Sequence, residues 1–159
     1  MSEVLERRNT GATEVAYLVS YPRDNSHPYH IEVGEKNNKN CRAVLGIPVG
    51  TAFITAYSMF LVFVKSREPR GTLTPESSVL AHTCVGACRV VLRETPDGYA
   101  VCSPKFTTNE FEDFTSAFNV YKAEVDALYV NTFFNKMSAA HLDAAVLAVL
   151  RSGGRDEVA

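Results

Sequence analysis

The sequence predicts an α+β fold: a single domain built on a mainly antiparallel sheet of about five or six strands, followed by two C-terminal helices packed on one of its faces. Three observations carry this expectation. Residues 43–64 run for 22 positions without a charged side chain, between Arg42 and Lys65. Two Pro-x-Gly turns, Pro48-Val49-Gly50 and Pro96-Asp97-Gly98, each sit between apolar runs. Aromatic and aliphatic residues then recur at helical spacing through 111–128.

In chain order, residues 2–8 have the composition of one or two helical turns capped by Ser2 and ended near Gly11. Residues 15–21 are apolar and β-branched and stop at Pro22, the pattern of a first strand. A polar loop over 23–28 leads to a second strand over 29–33, ended by Gly34. After another polar loop, 35–40, the uncharged run begins. Eighteen or more apolar residues can mark a membrane-spanning helix. Here Pro48 and the glycines at 46 and 50 break the first half, and β-branched or aromatic residues dominate the second. Pro48 presets φ and Gly50 can take a positive φ, so the segment reads as a hairpin. Its arms are a strand over 41–47 and a long central strand over 51–65, apolar on both faces and bent near 56–58.

Residues 66–78, rich in Pro, Arg, Thr and Glu, read as a surface loop. A second hairpin follows, with arms over 88–93 and 99–102. The strand-rich part therefore covers 15–104. The helical part covers 108–152: Thr107 and Glu110 have the form of a capping box for a helix over 109–135, and Ser138 caps another helix with Leu142, Val146, Val149 and Leu150 on its apolar face. Gly153-Gly154 stops it and leaves a frayed tail over 153–159.

Length and composition fit one core. The chain has 159 residues, 46% of them hydrophobic, and a net charge of −2, which gives no field to draw it to nucleic acid or an anionic membrane. No nucleic-acid or membrane partner is expected. The amino end lacks the apolar core of a signal peptide, and four cysteines without an export signal point to reduced thiols and a cytoplasmic setting.

Chemistry-bearing patterns are few. His82, Cys84, Cys88 and Cys102 are a legitimate zinc set by residue type. An extended chain through 84–93 holds Cys84 and Cys88 about 13 Å apart, which argues against convergence, so no metal is expected. No serine sits in a nucleophile elbow, and no glycine-rich segment ends in Lys-Ser or Lys-Thr before a helix; no catalytic residue or cofactor is assigned. Phe111, Phe114, Phe118, Tyr121, Val125 and Leu128 form one helical stripe that serves either the core or a partner chain. Phe133 and Phe134 point about 100° apart, so only one can join it.

The function these features favour is a non-enzymatic interaction or assembly module. It would self-associate as a homo-oligomer, or dock another protein, through a sheet edge or the C-terminal helix pair. The alternative is a small enzyme or ligand carrier, with an apolar pocket between the long helix and the sheet and with Tyr57, His82, Tyr121 and Tyr129 as its polar groups.

Overall fold

The computed structural model describes residues 1–38, 40–104 and 108–136, with side chains described as far as Val130. The class is α+β, but the strands divide into two antiparallel sheets of four rather than one of five or six. The first sheet is a meander of β1 (Glu3–Asn9), β2 (Glu14–Ser20), β3 (Tyr29–Glu35) and β4 (Arg42–Ile47), followed by helix α1 (Phe53–Arg67). The second repeats the connectivity: β5 (Val79–Val85), β6 (Cys88–Thr95), β7 (Gly98–Cys102) and β8 (Asn109–Phe111), followed by α2 (Phe114–Lys136).

The largest departure from expectation lies in the uncharged run. Its first arm is β4, but Pro48 to Gly50, with Gly50 at φ +89°, turns the chain into α1 and not into a second strand. Ala56, Met59, Phe60, Phe63 and Val64 are its buried residues, spaced as one helical face. Because apolar side chains occupy nearly every position, a period of two fits the segment as well as a period of 3.6, and packing decides between them. Ser66 Oγ donates to the Phe63 carbonyl at 2.6 Å, Lys65 and Arg67 complement the helix C-terminus, and Pro69 follows the last turn. Among the described residues no helix is long and apolar enough to cross a membrane.

Where helical turns were expected over 2–8, the chain forms strand β1, Glu3–Asn9. Gly86, at φ +61°, separates β5 from β6, so residues 84–93 are a tight hairpin and not one extended strand. The 96–98 turn joins β6 to β7, with Thr95 paired to Gly98. The long helix starts later than expected: Glu110 lies in β8, and Asp113 caps α2, its Oδ2 accepting from Ser116 N and Oγ at 2.8 Å each. The capping Thr107, the helix expected over 138–152 and the tail all lie outside the described residues.

Both sheets and both helices contribute to one apolar core. Ala16, Leu18, Ile31, Val33 and Ile47 enter it from the first sheet, Val90, Leu92 and Val101 from the second. The helices meet where the Phe63 and Phe114 rings stack edge to face with centroids 5.7 Å apart, and Phe114 also meets Tyr99 of β7 at 5.6 Å. Burial in the first sheet reaches its other face too. Val15 and Val19 are 0% and 2% exposed, beside Gly34, which lies under the Cys41 thiol, and His30, which packs against the Tyr21 ring.

Candidate docking surface

The α2 stripe is core. Phe114, Phe118, Tyr121 and Leu128 are buried, while Phe111 and Val125 are half-buried and pack against them. Phe133 and Phe134 fall within α2, but their side chains lie outside those described. Docking through this stripe would mean opening the core, so the surface available to a partner lies elsewhere.

The four polar groups of the pocket reading do not converge. Tyr121 shares a 2.8 Å hydrogen bond with the Thr83 hydroxyl on the core side of β5, and its phenol is pushed above its ordinary pKa, chiefly by burial. His82 is the next residue along β5 and is exposed on the opposite face. Tyr129 is exposed on α2. Tyr57 of α1 donates to Glu6 Oε2 of β1 at 3.2 Å and lies 3.5 Å from Arg8 Nη2. Two open cavities, of about 550 and 430 Å³, lie elsewhere: one beside the β6–β7 turn, around Asp97, Tyr99 and Glu110, and one around Glu14, Gly34, Cys41 and Arg42.

The zinc set is also divided, by register rather than by the extended strand expected. Cys84 pairs with Arg89, and Val85 with Cys88. Cys88 is in phase with core residues Val90 and Leu92, whereas Cys84 shares the outer face with His82. Cys102 pairs with Val91, which itself pairs with His82, so β6 stands between that histidine and that thiol. Among the described residues no group of three or more His, Cys, Asp or Glu could hold a metal ion.

Among the described residues, exposed apolar side chains occur at one corner of the first sheet, where β1 begins, β2 ends, β3 begins and β4 passes into α1. There Val49, Phe53 and Ile54 are 65%, 50% and 68% exposed. The register sets Tyr29 between Ser20 and Ile47 on the core side of the sheet, whereas Val4 pairs with Val19 on the other face. The Phe53 ring then lies 6.2 Å from Tyr29 and 6.0 Å from Tyr57. Exposed apolar residues that gather in this way mark interaction sites more often than single ones do.

Strand edges complete the picture, since an unguarded edge offers free N–H and C=O groups to another chain. β1 is guarded by Glu3, Glu6, Arg7 and Arg8 and by a bulge between Val4 and Glu6. β5 has α1 packed beside it, and β8 is only three residues long. β4 carries no charge after Arg42, and Val44 at its bulge is 40% exposed. Among the described residues no backbone hydrogen bond outside the β3 ladder engages Arg42–Ile47. Sequence reasoning named a sheet edge without being able to say which, because strand order is not written in local periodicity.

No protein-family model matches this chain, and no curated protein or solved structure matches it either.

Proposed function

We propose that the protein is a non-enzymatic interaction and assembly module that docks a protein chain along β4 and the adjoining N-terminal end of α1. The observation that supports this reading is the continuity of an uncharged strand edge with exposed Val49, Phe53 and Ile54. An extended segment laid on β4 would gain main-chain hydrogen bonds, and the neighbouring apolar side chains would give it specificity. α1 adds support, because a helix that is apolar all round is normally buried, and this one leaves Phe53, Ile54 and Leu61 exposed.

Size-exclusion chromatography with light scattering tests it. The expected result is a mass above the chain's 17.5 kDa, alone or with a co-purifying protein, that falls to 17.5 kDa in the Phe53→Asp, Ile54→Asp double variant while the circular dichroism spectrum is unchanged. A strict monomer that carries no partner at any concentration would overturn the reading.

A further inference from the structure

We infer that the exposed side of α1 receives an amphipathic helix of a partner protein, laid antiparallel to it with an acidic first turn against Lys65. This inference rests on the docking function proposed above and adds the chemistry of the partner.

Exposure along α1 has a period. From Ile54 to Lys65 the exposed positions are Ile54, Ser58, Leu61 and Lys65, while Thr55, Tyr57 and Val62 beside them are half-buried. At 100° per residue the four lie within about 60° of the helix circumference. The buried residues, from Ala56 to Val64, centre on the opposite side. Spacings of four, three and four between the exposed positions are those of the two core positions of a heptad. Along such a seam one helix accepts another at a crossing angle of about 20°.

A strand finds nothing to pair with here, because the backbone groups of a helix interior are already bonded within it. A second helix meets a fitting surface. Ser58 is the small residue between Ile54 and Leu61, and it leaves room for a large apolar side chain of the partner to enter between them.

Charge decides the orientation. α1 holds no acidic residue, and Lys65 is the one charge on the seam. Its ammonium has no ion-pair partner among the described residues, whereas Lys122 on α2 is bonded to Asp126 at 2.7 Å. A partner helix running antiparallel brings its first turn to Lys65, and acidic residues are favoured in a first turn by the dipole of their own helix. The same carboxylates then stabilise both the partner helix and the contact. A parallel helix would bring its last turn there, where basic residues are favoured and would repel Lys65. From Ile54 to Lys65 the helix rises about 16 Å, so the seam takes about three turns of a partner. A contact of that size is by itself a transient one.

The test titrates the full chain with two fluorescently labelled synthetic helical peptides of about three heptads each. Both are apolar at the seam positions; the first turn carries glutamates in one and lysines in the other. The expected result is fluorescence anisotropy showing the glutamate peptide bound about fivefold more tightly, a difference that fades in high salt. Lys65→Glu should reverse the preference, and a reversal cannot come from unequal helicity of the peptides. Leu61→Asp should abolish binding of both, with an unchanged melting temperature confirming that its fold is intact. Equal binding of the two peptides, or a preference that Lys65→Glu leaves as it was, overturns the inference. So does binding that survives Leu61→Asp, or no binding at all. Light scattering of the Phe53→Asp, Ile54→Asp variant then decides separately whether docking at β4 stands.

Discussion

Arg67 of α1 grips Glu14 of β2 through two bonds, Nε to Oε1 at 2.6 Å and Nη2 to Oε2 at 2.7 Å. The pair ties the last turn of the helix to the first residue of a central strand, and Thr10 Oγ1 donates to the same carboxylate at 2.8 Å. Arg67 draws the Glu14 carboxyl down from 4.5 to about 2, against the opposing effect of burial.

Glu14→Gln is therefore expected to destabilise the fold by about 1 kcal/mol at neutral pH. The geometry is bidentate and strong, but both side chains are about a third exposed and solvent screens the charge. The sign of the pH dependence follows from the lowered pKa. The contribution is complete above the unfolded carboxyl's 4.5 and is lost as pH falls from there toward 2. Urea melts at pH 7 and pH 3 check this: the gap between wild type and Glu14→Gln should narrow at the lower pH.

Adjacent residues of α1 give a second prediction. Phe60 is fully buried and Leu61 is 38% exposed. Phe60→Ala should cost about 3–5 kcal/mol through lost burial and the cavity it leaves. Leu61→Ala should stay within about 0.5 kcal/mol in the isolated chain. Equal losses at the two positions would contradict the helical face described above.

How far the fold could be read from sequence depended on how uneven each segment's surroundings are. β2, β3 and β4 lay close to their expected ranges: Pro22 and Pro48 follow β2 and β4 as turn residues, whereas Gly34, expected to end β3, lies within it and pairs with Val15. The α2 stripe was legible because charged residues such as Glu124 and Asp126 alternate with its aromatic positions. β1 was not legible. As an edge strand exposed on both faces it has no reason to alternate, and Glu-Val-Leu-Glu-Arg-Arg reads equally well as a helical turn. α1 failed for the opposite reason: uniform apolarity carries no period. The candidate surface inherits both problems, since what makes β4 open is its place in the strand order, and what makes α1 apolar on its outer side looked like interior composition.

Gly98 provides a third prediction. It stands at the start of β7 with φ +152°, and a Cβ there would lie 2.3 Å from the Phe111 carbonyl oxygen and 3.0 Å from Glu112 Cα. Both are backbone atoms, so no side chain can swing aside. Gly98→Ala should push β8 off β7 and lower the urea midpoint by the equivalent of about 2 kcal/mol. Ala substitution at Gly71, which has open space around it but a φ of +63°, should cost less, about 1 kcal/mol, from backbone strain alone.

The contact between α2 and the second sheet predicts the behaviour of the protein in alkali. Tyr121 and Tyr99 both have phenols raised above the ordinary value of 10, in each case chiefly by burial; for Tyr99 the nearby Asp113 carboxylate adds to the effect. A raised folded-state pKa means that their contribution to stability is whole below 10 and is lost as pH rises through the folded values, because unfolding lets each phenol ionise in water. Tyr121→Phe removes one of these titrations together with the hydrogen bond to Thr83, so it should cost about 1 kcal/mol at neutral pH and lessen the further loss above pH 10. Thermal melts between pH 8 and pH 11 check the crossing of the two curves. If Tyr121→Phe ran parallel to wild type throughout, Tyr121 would not be the buried phenol that the packing of α2 requires.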